Sequence, residues 1–316
     1  MVGIDTLPCV NETAEGFMDF IINGENSVVA HWIKCGADGF RLDVADELPD
    51  EFIAAFRKRL KQLKPDALLI GEVWEDASNK ISYGKRRRYF TDGELDSVMN
   101  YPFRKAVIDL VCGRDKGEQF KQTVMNIAEN YPKCVLNTLM NMLSTHDTER
   151  IISVLSDEVP QDKAERAGFA MSDSAREKAE EKLRAASFLQ FVLPGTPCIY
   201  YGDEIGMEGF EDPFCRGFFN WEKAKDSKLR GFFTKLAQVR NTCDALKYGD
   251  VNAESDGAGR VVIERKNGDG RCVAFVNTGL PVKVAVSGEV IFSEKARLQG
   301  NEAFLDSYGF VLQQIH

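Results

Sequence analysis

The sequence predicts an α/β fold in which short parallel strands alternate with helices, followed by a small all-β domain. Acidic residues stand where apolar, strand-like runs stop: Asp43 in GFRLDVADE, Glu72 in LLIGEVWED and Asp147 in LSTHDTER. Between these runs, apolar residues recur at helical spacing. Beyond Gly249 the pattern changes to apolar or alternating runs around an Asn267-Gly268-Asp269-Gly270 turn, as in a β-hairpin. Carboxylates at the C-terminal ends of parallel strands converge on the face of an α/β barrel that carries chemistry. The chain therefore reads as an enzyme.

Taken in order, Val29 to Cys35 has helical spacing and is broken by Gly36 and Gly39 ahead of a strand at Phe40 to Val44. Phe52, Ile53, Phe56, Leu60 and Leu63 mark an amphipathic helix that Pro65 ends. A second strand spans Ala67 to Glu72. A polar loop follows, whose basic run Lys85 to Arg88 reads as a solvated face, then a third strand around Leu95 to Met99. Phe103 to Tyr131 is mostly helical, and Thr138 to Leu143 is the fourth strand. Pro160 to Ser174 reads as a polar loop before a helix opened by a Ser174/Glu177 capping box. That helix runs to Leu193, and Pro194 to Pro197 turns the chain into a fifth strand, Cys198 to Tyr201. Leu229 to Arg240 is one more helix. The expected division is 1–245 for the α/β part and 246–316 for the all-β domain.

With 316 residues, 44% of them hydrophobic, the chain can bury a large core. A net charge of -9 argues against a nucleic-acid partner. No apolar run is long enough to cross a bilayer, and the N-terminus lacks a charged segment followed by an apolar one. The expected location is cytoplasmic, with no membrane partner. The eight cysteines contain no CxxC pair and read as structural thiols of a reducing compartment. Without a histidine cluster or a cysteine pair, no metal and no other cofactor is expected. Of three histidines, His31 sits in an apolar helix, His316 is terminal, and His146 adjoins Asp147.

Strand alternation puts Arg41 and Asp43 on one face, where the guanidinium can orient the carboxylate. Ile70, Val73 and Trp74 set Glu72 among apolar surface, the environment of a proton donor. One ionised and one protonated carboxyl about 5 Å apart are what retaining glycoside hydrolysis uses. A rival chemistry has Asp43, Glu72 and Asp96, at consecutive strand ends, holding Mg²⁺ for proton abstraction. It calls for a lysine base at another strand end, and Lys80 and Lys85 fall in a loop.

These residues carry a family resemblance. GFRLDVADE, LIGEVWED and STHDTER resemble three signature regions of the α-amylase family of glycoside hydrolases, in the family's order and spacing. PGTPCIYYGDEIGMEG (194–209) resembles its eighth-strand segment, and LPCVNE (7–12) its region ahead of the fourth strand. LDSVMNYPF (95–103) and GMEGFEDPFCR (206–216) point to the neopullulanase and cyclomaltodextrinase branch. The resemblance implies Asp43 as nucleophile, Glu72 as acid/base, and Asp147 as the second aspartate that stabilises the transition state. It implies Arg41 beside the nucleophile, His146 as a sugar contact, and Ala45, Asp46, Glu47 and Trp74 bordering the leaving-group side. The substrate so implied is an α-1,4-linked glucan, maltodextrin or cyclodextrin.

The fold so implied is a partial (β/α)8 TIM barrel, strands 4 to 8, followed by a β-sandwich. The family's first three strands, its third-strand signature and its usual calcium sites have no counterpart in this sequence. Thr145 stands where asparagine or serine is common. The expectation is the C-terminal part of a longer retaining hydrolase, active in its full-length form. The alternative is a non-catalytic truncated remnant or carbohydrate-binding fragment. Open barrel edges would favour self-association.

Overall fold

The computed structural model describes Thr6 and residues 8–315. Leu7 of the LPCVNE segment and His316 lie outside the described residues. The chain forms two compact units, one from the described residues up to Pro102 with Glu129–Met140, the other from Phe103–Ala128 with Asn141 onward.

In the first unit, helix α1 (Val28–Lys34) opens on Ser27, whose side chain accepts the Ala30 amide. It ends at Gly36, where φ is +101°, a conformation glycine adopts without a Cβ clash. Strand β1 (Gly39–Leu42) follows. Helix α2 (Asp50–Leu63) buries Phe52, Ile53, Phe56 and Leu60, the stripe expected from their spacing. Phe56 meets Phe40 of β1 edge-on at 5.3 Å. Strand β2 (Leu68–Gly71) pairs parallel with β1, with Arg41 opposite Ile70 and Leu42 opposite Gly71. The two backbones approach closely at their start, since a Cβ on Gly39 would lie 2.2 Å from the Leu68 carbonyl oxygen. Strand β3 (Ser97–Val98) pairs parallel with β2, and Met99 makes a parallel bridge to Met140.

Lys85, Arg86 and Arg88 of the basic run are exposed, as expected of a solvated face, and Arg87 alone departs from that role. Arg87 is buried and donates to the carbonyls of Ala45, Asp46 and Leu48. Its Nε also lies 3.0 Å from Asp50. A guanidinium with five donors can satisfy several carbonyls of a tight turn at once, and no local pattern in the sequence announces it.

In the second unit, helices α3 (Tyr101–Val111, in this unit from Phe103) and α4 (Glu118–Asn130, in this unit up to Ala128) precede strand β4 (Met140–Met142, in this unit from Asn141). Helix α5 (Asp173–Val192) starts one residue earlier than its predicted cap. Ser172, not Ser174, is the N-cap, accepting the Ala175 amide at 3.2 Å. Its third helical position is Ala175, so no capping box forms. The loop before it contains a one-turn helix, Lys163–Arg166. Strand β5 (Thr196–Cys198) pairs with β4. Helices α6 (Lys228–Thr242) and α7 (Asp244–Tyr248) follow.

The C-terminal region is one continuous antiparallel sheet rather than two facing sheets. It comprises β6 (Asp250–Ser255), β7 (Arg260–Asn267), β8 (Gly270–Asn277), β9 (Val282–Ala285), β10 (Glu289–Gln299) and β11 (Glu302–Ile315). The predicted hairpin joins β7 to β8, with Asn267 opposite Gly270. Strand β11 pairs with β8, β9 and β10. Left-handed residues Lys295 and Tyr308 interrupt β10 and β11, and β10 is bulged between Glu294 and Ala296. Bulges increase local bend and twist, and Ala303, Leu305 and Val311 share one small core with Val286. Phe188 of α5 stacks on Phe310 at 4.2 Å, and Phe232 of α6 tilts against Phe292 at 5.7 Å.

The cap assignment has a direct consequence. Ser172→Ala is expected to lower stability by about 0.5–2 kcal/mol, while Ser174→Ala changes it by no more than about 0.5 kcal/mol, as for a surface site without a special contact. Urea unfolding of both variants followed by circular dichroism checks the difference.

Candidate active site

Of the site residues that the resemblance implies, Arg41, Asp43, Ala45, Asp46, Glu47, Glu72 and Trp74 lie in the first unit, and His146 and Asp147 in the second. In the first, Arg41 on β1 and Asp43 just beyond it contact each other as the alternation predicts, with Arg41 Nη1 donating to Asp43 Oδ1 at 2.6 Å. The same guanidinium serves a second carboxylate, with Nη2 3.0 Å from Glu72 Oε2. Its Nε faces the Met99 sulfur, just after β3, at 3.4 Å. The Asp43 side chain is 70% exposed and that of Glu72 only 5%, so one carboxylate faces solvent and the other forms the floor.

Glu72 is held by more than the apolar surface expected around it. Oε2 accepts the Val44 amide at 2.8 Å, and Oε1 accepts the Trp74 indole N–H at 3.2 Å. The Val44 amide reaches it because Val44 adopts a left-handed conformation, φ +43°. That geometry is unusual for a β-branched residue and costs on the order of 1–3 kcal/mol. The parallel register supports the same arrangement: Glu72 N–H donates to Leu42 O, and Ala45 N–H to Glu72 O. Trp74 is half exposed and stacks on Tyr101 at 4.2 Å with the ring planes 12° apart. Tyr101 was not legible as a site residue, because nothing local pairs it with Trp74.

Asp46 and Glu47 lie in the one-turn helix after Val44. Asp46 is engaged by the Lys80 ammonium at 3.0 Å and the Tyr89 hydroxyl at 2.5 Å. Glu47 accepts the Tyr83 hydroxyl at 2.6 Å. Burial pushes the Tyr89 phenol well above its ordinary range, with the Asp46 hydrogen bond adding to it. Lys80, Tyr83 and Tyr89 lie 34 to 43 positions away, with no periodicity that links them to this turn.

Asp96, the third carboxylate of the rival row, turns to helix α2. Arg57 donates to its Oδ1 at 2.7 Å, Lys61 lies 2.9 Å from Oδ2, and the Leu69 amide donates to Oδ2 at 2.9 Å. Burial works against its ionised form, and the Lys61, Arg57 and Leu69 hydrogen bonds outweigh it, leaving its pKa below the ordinary carboxylate value. Among the described residues, no group of three or more His, Cys, Asp or Glu is arranged to hold a metal ion.

In the second unit, His146 and Asp147 pair directly, with Nε2 2.9 Å from Oδ2. Arg216, which the sequence reading did not single out, donates to the His146 carbonyl at 3.1 Å and to Asp147 Oδ1 at 3.4 Å. Thr145 Oγ1 accepts the Asp147 amide. Beneath this turn, Ser144 Oγ accepts the Ile151 amide at 2.7 Å and donates to Asp203 Oδ1 at 3.0 Å. The fully buried Arg150 donates to Tyr201 O and lies over the Tyr200 and Tyr201 rings at 4.8 and 4.6 Å. Asp203 thus ties the segment after β5 to the turn that presents His146 and Asp147.

Burial pushes the Asp203 carboxyl up to about 7, against the opposing Ser144 hydrogen bond and Arg150 charge. Its folded pKa exceeds its unfolded value, about 3.9. Its stabilising contribution is therefore complete below about pH 4 and is lost as pH rises through about 7. Asp203→Asn keeps an acceptor for Ser144 and removes the titration. Thermal midpoints measured from pH 4 to 8 should fall less steeply with rising pH in this variant than in the parent. Equal slopes would assign the titration to another group.

Residues 21–242 match the alpha-amylase catalytic domain family. Over 318 aligned residues the chain is 33% identical to an amylopullulanase of Thermoanaerobacter thermohydrosulfuricus, covering 90% of this chain and 20% of that protein. It is 35% identical to neopullulanase 2 of Thermoactinomyces vulgaris over 228 residues, 72% of this chain and 34% of the relative. A solved cyclomaltodextrinase superposes with a TM-score of 0.71 at 28% identity, covering 90% of this chain and 47% of that one. The chain thus spans less than half the length of each of these relatives. The family match over residues 21–242 covers well over half of the chain, which belongs to the alpha-amylase family.

Proposed function

We propose that this chain supplies the catalytic carboxylates of a retaining glycoside hydrolase acting on α-1,4-linked glucans, maltodextrins or cyclodextrins. The observation that carries the proposal is the single guanidinium of Arg41 shared by Asp43 and Glu72. Two carboxyl groups on one guanidinium fit the separation of about 5–5.5 Å used by retaining enzymes better than the 6.5–9.5 Å of inverting ones. Family membership and the alignment with glucan-acting relatives support the substrate class.

In the first step the exposed Asp43 carboxylate attacks the anomeric carbon while Glu72 gives its proton to the departing glycosidic oxygen. In the second, Glu72 takes a proton from water, which attacks the same carbon and releases Asp43. The pair carries one negative charge before and after the first step, on Asp43 and then on Glu72. Arg41 faces both positions, so it balances that charge without moving. Trp74, stacked on Tyr101, offers a flat apolar surface to a sugar ring on the leaving-group side. Asp147, paired with His146 and Arg216, is assigned to sugar hydroxyls and transition-state stabilisation, with His146 as a further sugar contact. Asp46 and Glu47 border the same side, though their hydrogen bonds to Tyr89 and Tyr83 also give them a role in holding the turn.

The same reading takes β1 to β5 as the fourth to eighth strands of an eight-stranded barrel. The parallel pairing of β1 with β2 and of β2 with β3 supports it. The outer edge of β1 has no strand partner among the described residues, and is where another strand or a second copy would pair. Among the described residues no helix is long and apolar enough to cross a membrane.

Hydrolysis of maltodextrin or β-cyclodextrin, followed by proton NMR on the longest form that the gene encodes, tests the proposal. The first product should carry the α configuration. Asp43→Asn and Glu72→Gln should each lower kcat at least about 10²-fold, with thermal midpoints near that of the parent. A β product formed first, or full activity in either variant, contradicts the assignment. Glucan binding without turnover by the parent protein would favour the carbohydrate-binding alternative.

A further inference from the structure

Two cysteines that no spacing motif links meet inside the second unit. Cys243 immediately precedes α7, Cys272 is the third residue of β8, and their sulfurs lie 3.1 Å apart although 29 positions separate them in sequence. Cys272 is 1% exposed and Cys243 7%. Two buried guanidinium groups flank the pair. Arg265 stands directly across from Cys272 in the β7–β8 register. It donates to the carbonyls of Val192 and Gly249, and its Nε has no hydrogen-bond partner. Arg240, three residues before Cys243, donates to the carbonyls of Phe191, Leu193 and Gly195.

Cations held by carbonyls favour a neighbouring thiolate. The Cys272 hydrogen bond, aided by Arg240, holds the Cys243 thiol below its ordinary range, while its contact with Cys243 pushes Cys272 up. That asymmetry favours Cys243 over Cys272 as the nucleophile of the pair. A disulfide needs a sulfur separation of about 2.05 Å, an approach of roughly 1 Å from the observed contact.

We propose that Cys243 and Cys272 form an oxidisable dithiol that hydrogen peroxide converts to a disulfide, tying the start of α7 to β8. The Cys243 thiolate attacks one peroxide oxygen and breaks the O–O bond, giving a sulfenic acid and hydroxide. The Cys272 sulfur then attacks Cys243 Sγ, loses its proton and expels the sulfenic oxygen as hydroxide. The net change is two thiols and one peroxide to one disulfide and two waters, the sulfurs giving up the two electrons that reduce the peroxide. A small oxidant suits the pair, since only Cys243 retains any appreciable exposure.

The full chain treated with near-stoichiometric peroxide, quenched, unfolded with N-ethylmaleimide and digested with trypsin should yield peptide 241–247 joined to peptide 272–283. Dithiothreitol should separate them. In Cys272→Ser, Cys243 should stop at the sulfenic acid and be captured by dimedone, whereas Cys243→Ser should give no capture at Cys272. Recovery of both peptides alkylated from the oxidised parent overturns the proposal, as does a cross-link joining either cysteine to a different one. The parent experiment decides the matter even if a variant fails to fold.

Discussion

The Arg41 guanidinium is the contact on which the rest of the first unit's site depends. It touches Asp43, Glu72 and Met99, which follow or end three consecutive parallel strands. Arg41 and Asp43 share a face through strand alternation, and the β1–β2 register brings Glu72 alongside. Close approach of the strands is itself a constraint: a Cβ on Gly71 would lie 2.5 Å from a Leu95 methyl carbon. Val44 then leaves the extended conformation, and its amide gives Glu72 a further donor. The left-handed strain is local, and the packing around it holds it in place.

The turn after Val44 is fixed from a distance. Arg87 grips its carbonyls, Lys80 and Tyr89 hold Asp46, and Tyr83 holds Glu47. A buried guanidinium in contact with Asp50 and several carbonyls avoids the cost of an unpaired charge. The loop carrying the basic run therefore acts as a brace for the segment next to the carboxylate pair. Asp96 plays a comparable part beneath the strands, joining α2 to β2 through Arg57, Lys61 and the Leu69 amide. Its engagement with two cations leaves the metal-binding row without its third member.

What was legible in the sequence was what is local. The Arg41–Asp43 contact follows from period two, the stripe of α2 from period 3.6, and the β7–β8 hairpin from the Asn267 to Gly270 turn. Family resemblance named the branch that the alignments then bore out. Long-range pairings were out of reach: Arg87 with the 45–48 turn, Tyr101 with Trp74, Arg216 with Asp147, and Cys243 with Cys272. The helix cap at Ser172 was missed for a different reason. Ser174 and Glu177 fit a local pattern, and which serine caps is decided by where the preceding loop delivers the chain. The breaks in β10 and β11 fall at left-handed Lys295 and Tyr308, neither of which is a residue type that announces such a conformation.

The most direct measurement of the central claim is the covalent intermediate itself. A maltosyl fluoride carrying a second fluorine at ring carbon 5 slows both steps and lets a glycosyl-enzyme accumulate. Tryptic digestion of the trapped protein should place the sugar on peptide 42–57, with fragmentation assigning it to Asp43 rather than Asp46 or Glu47. A sugar found on Glu72, on Asp147 or on either neighbouring acid of that peptide would contradict the assignment of Asp43 as the nucleophile that Arg41 positions.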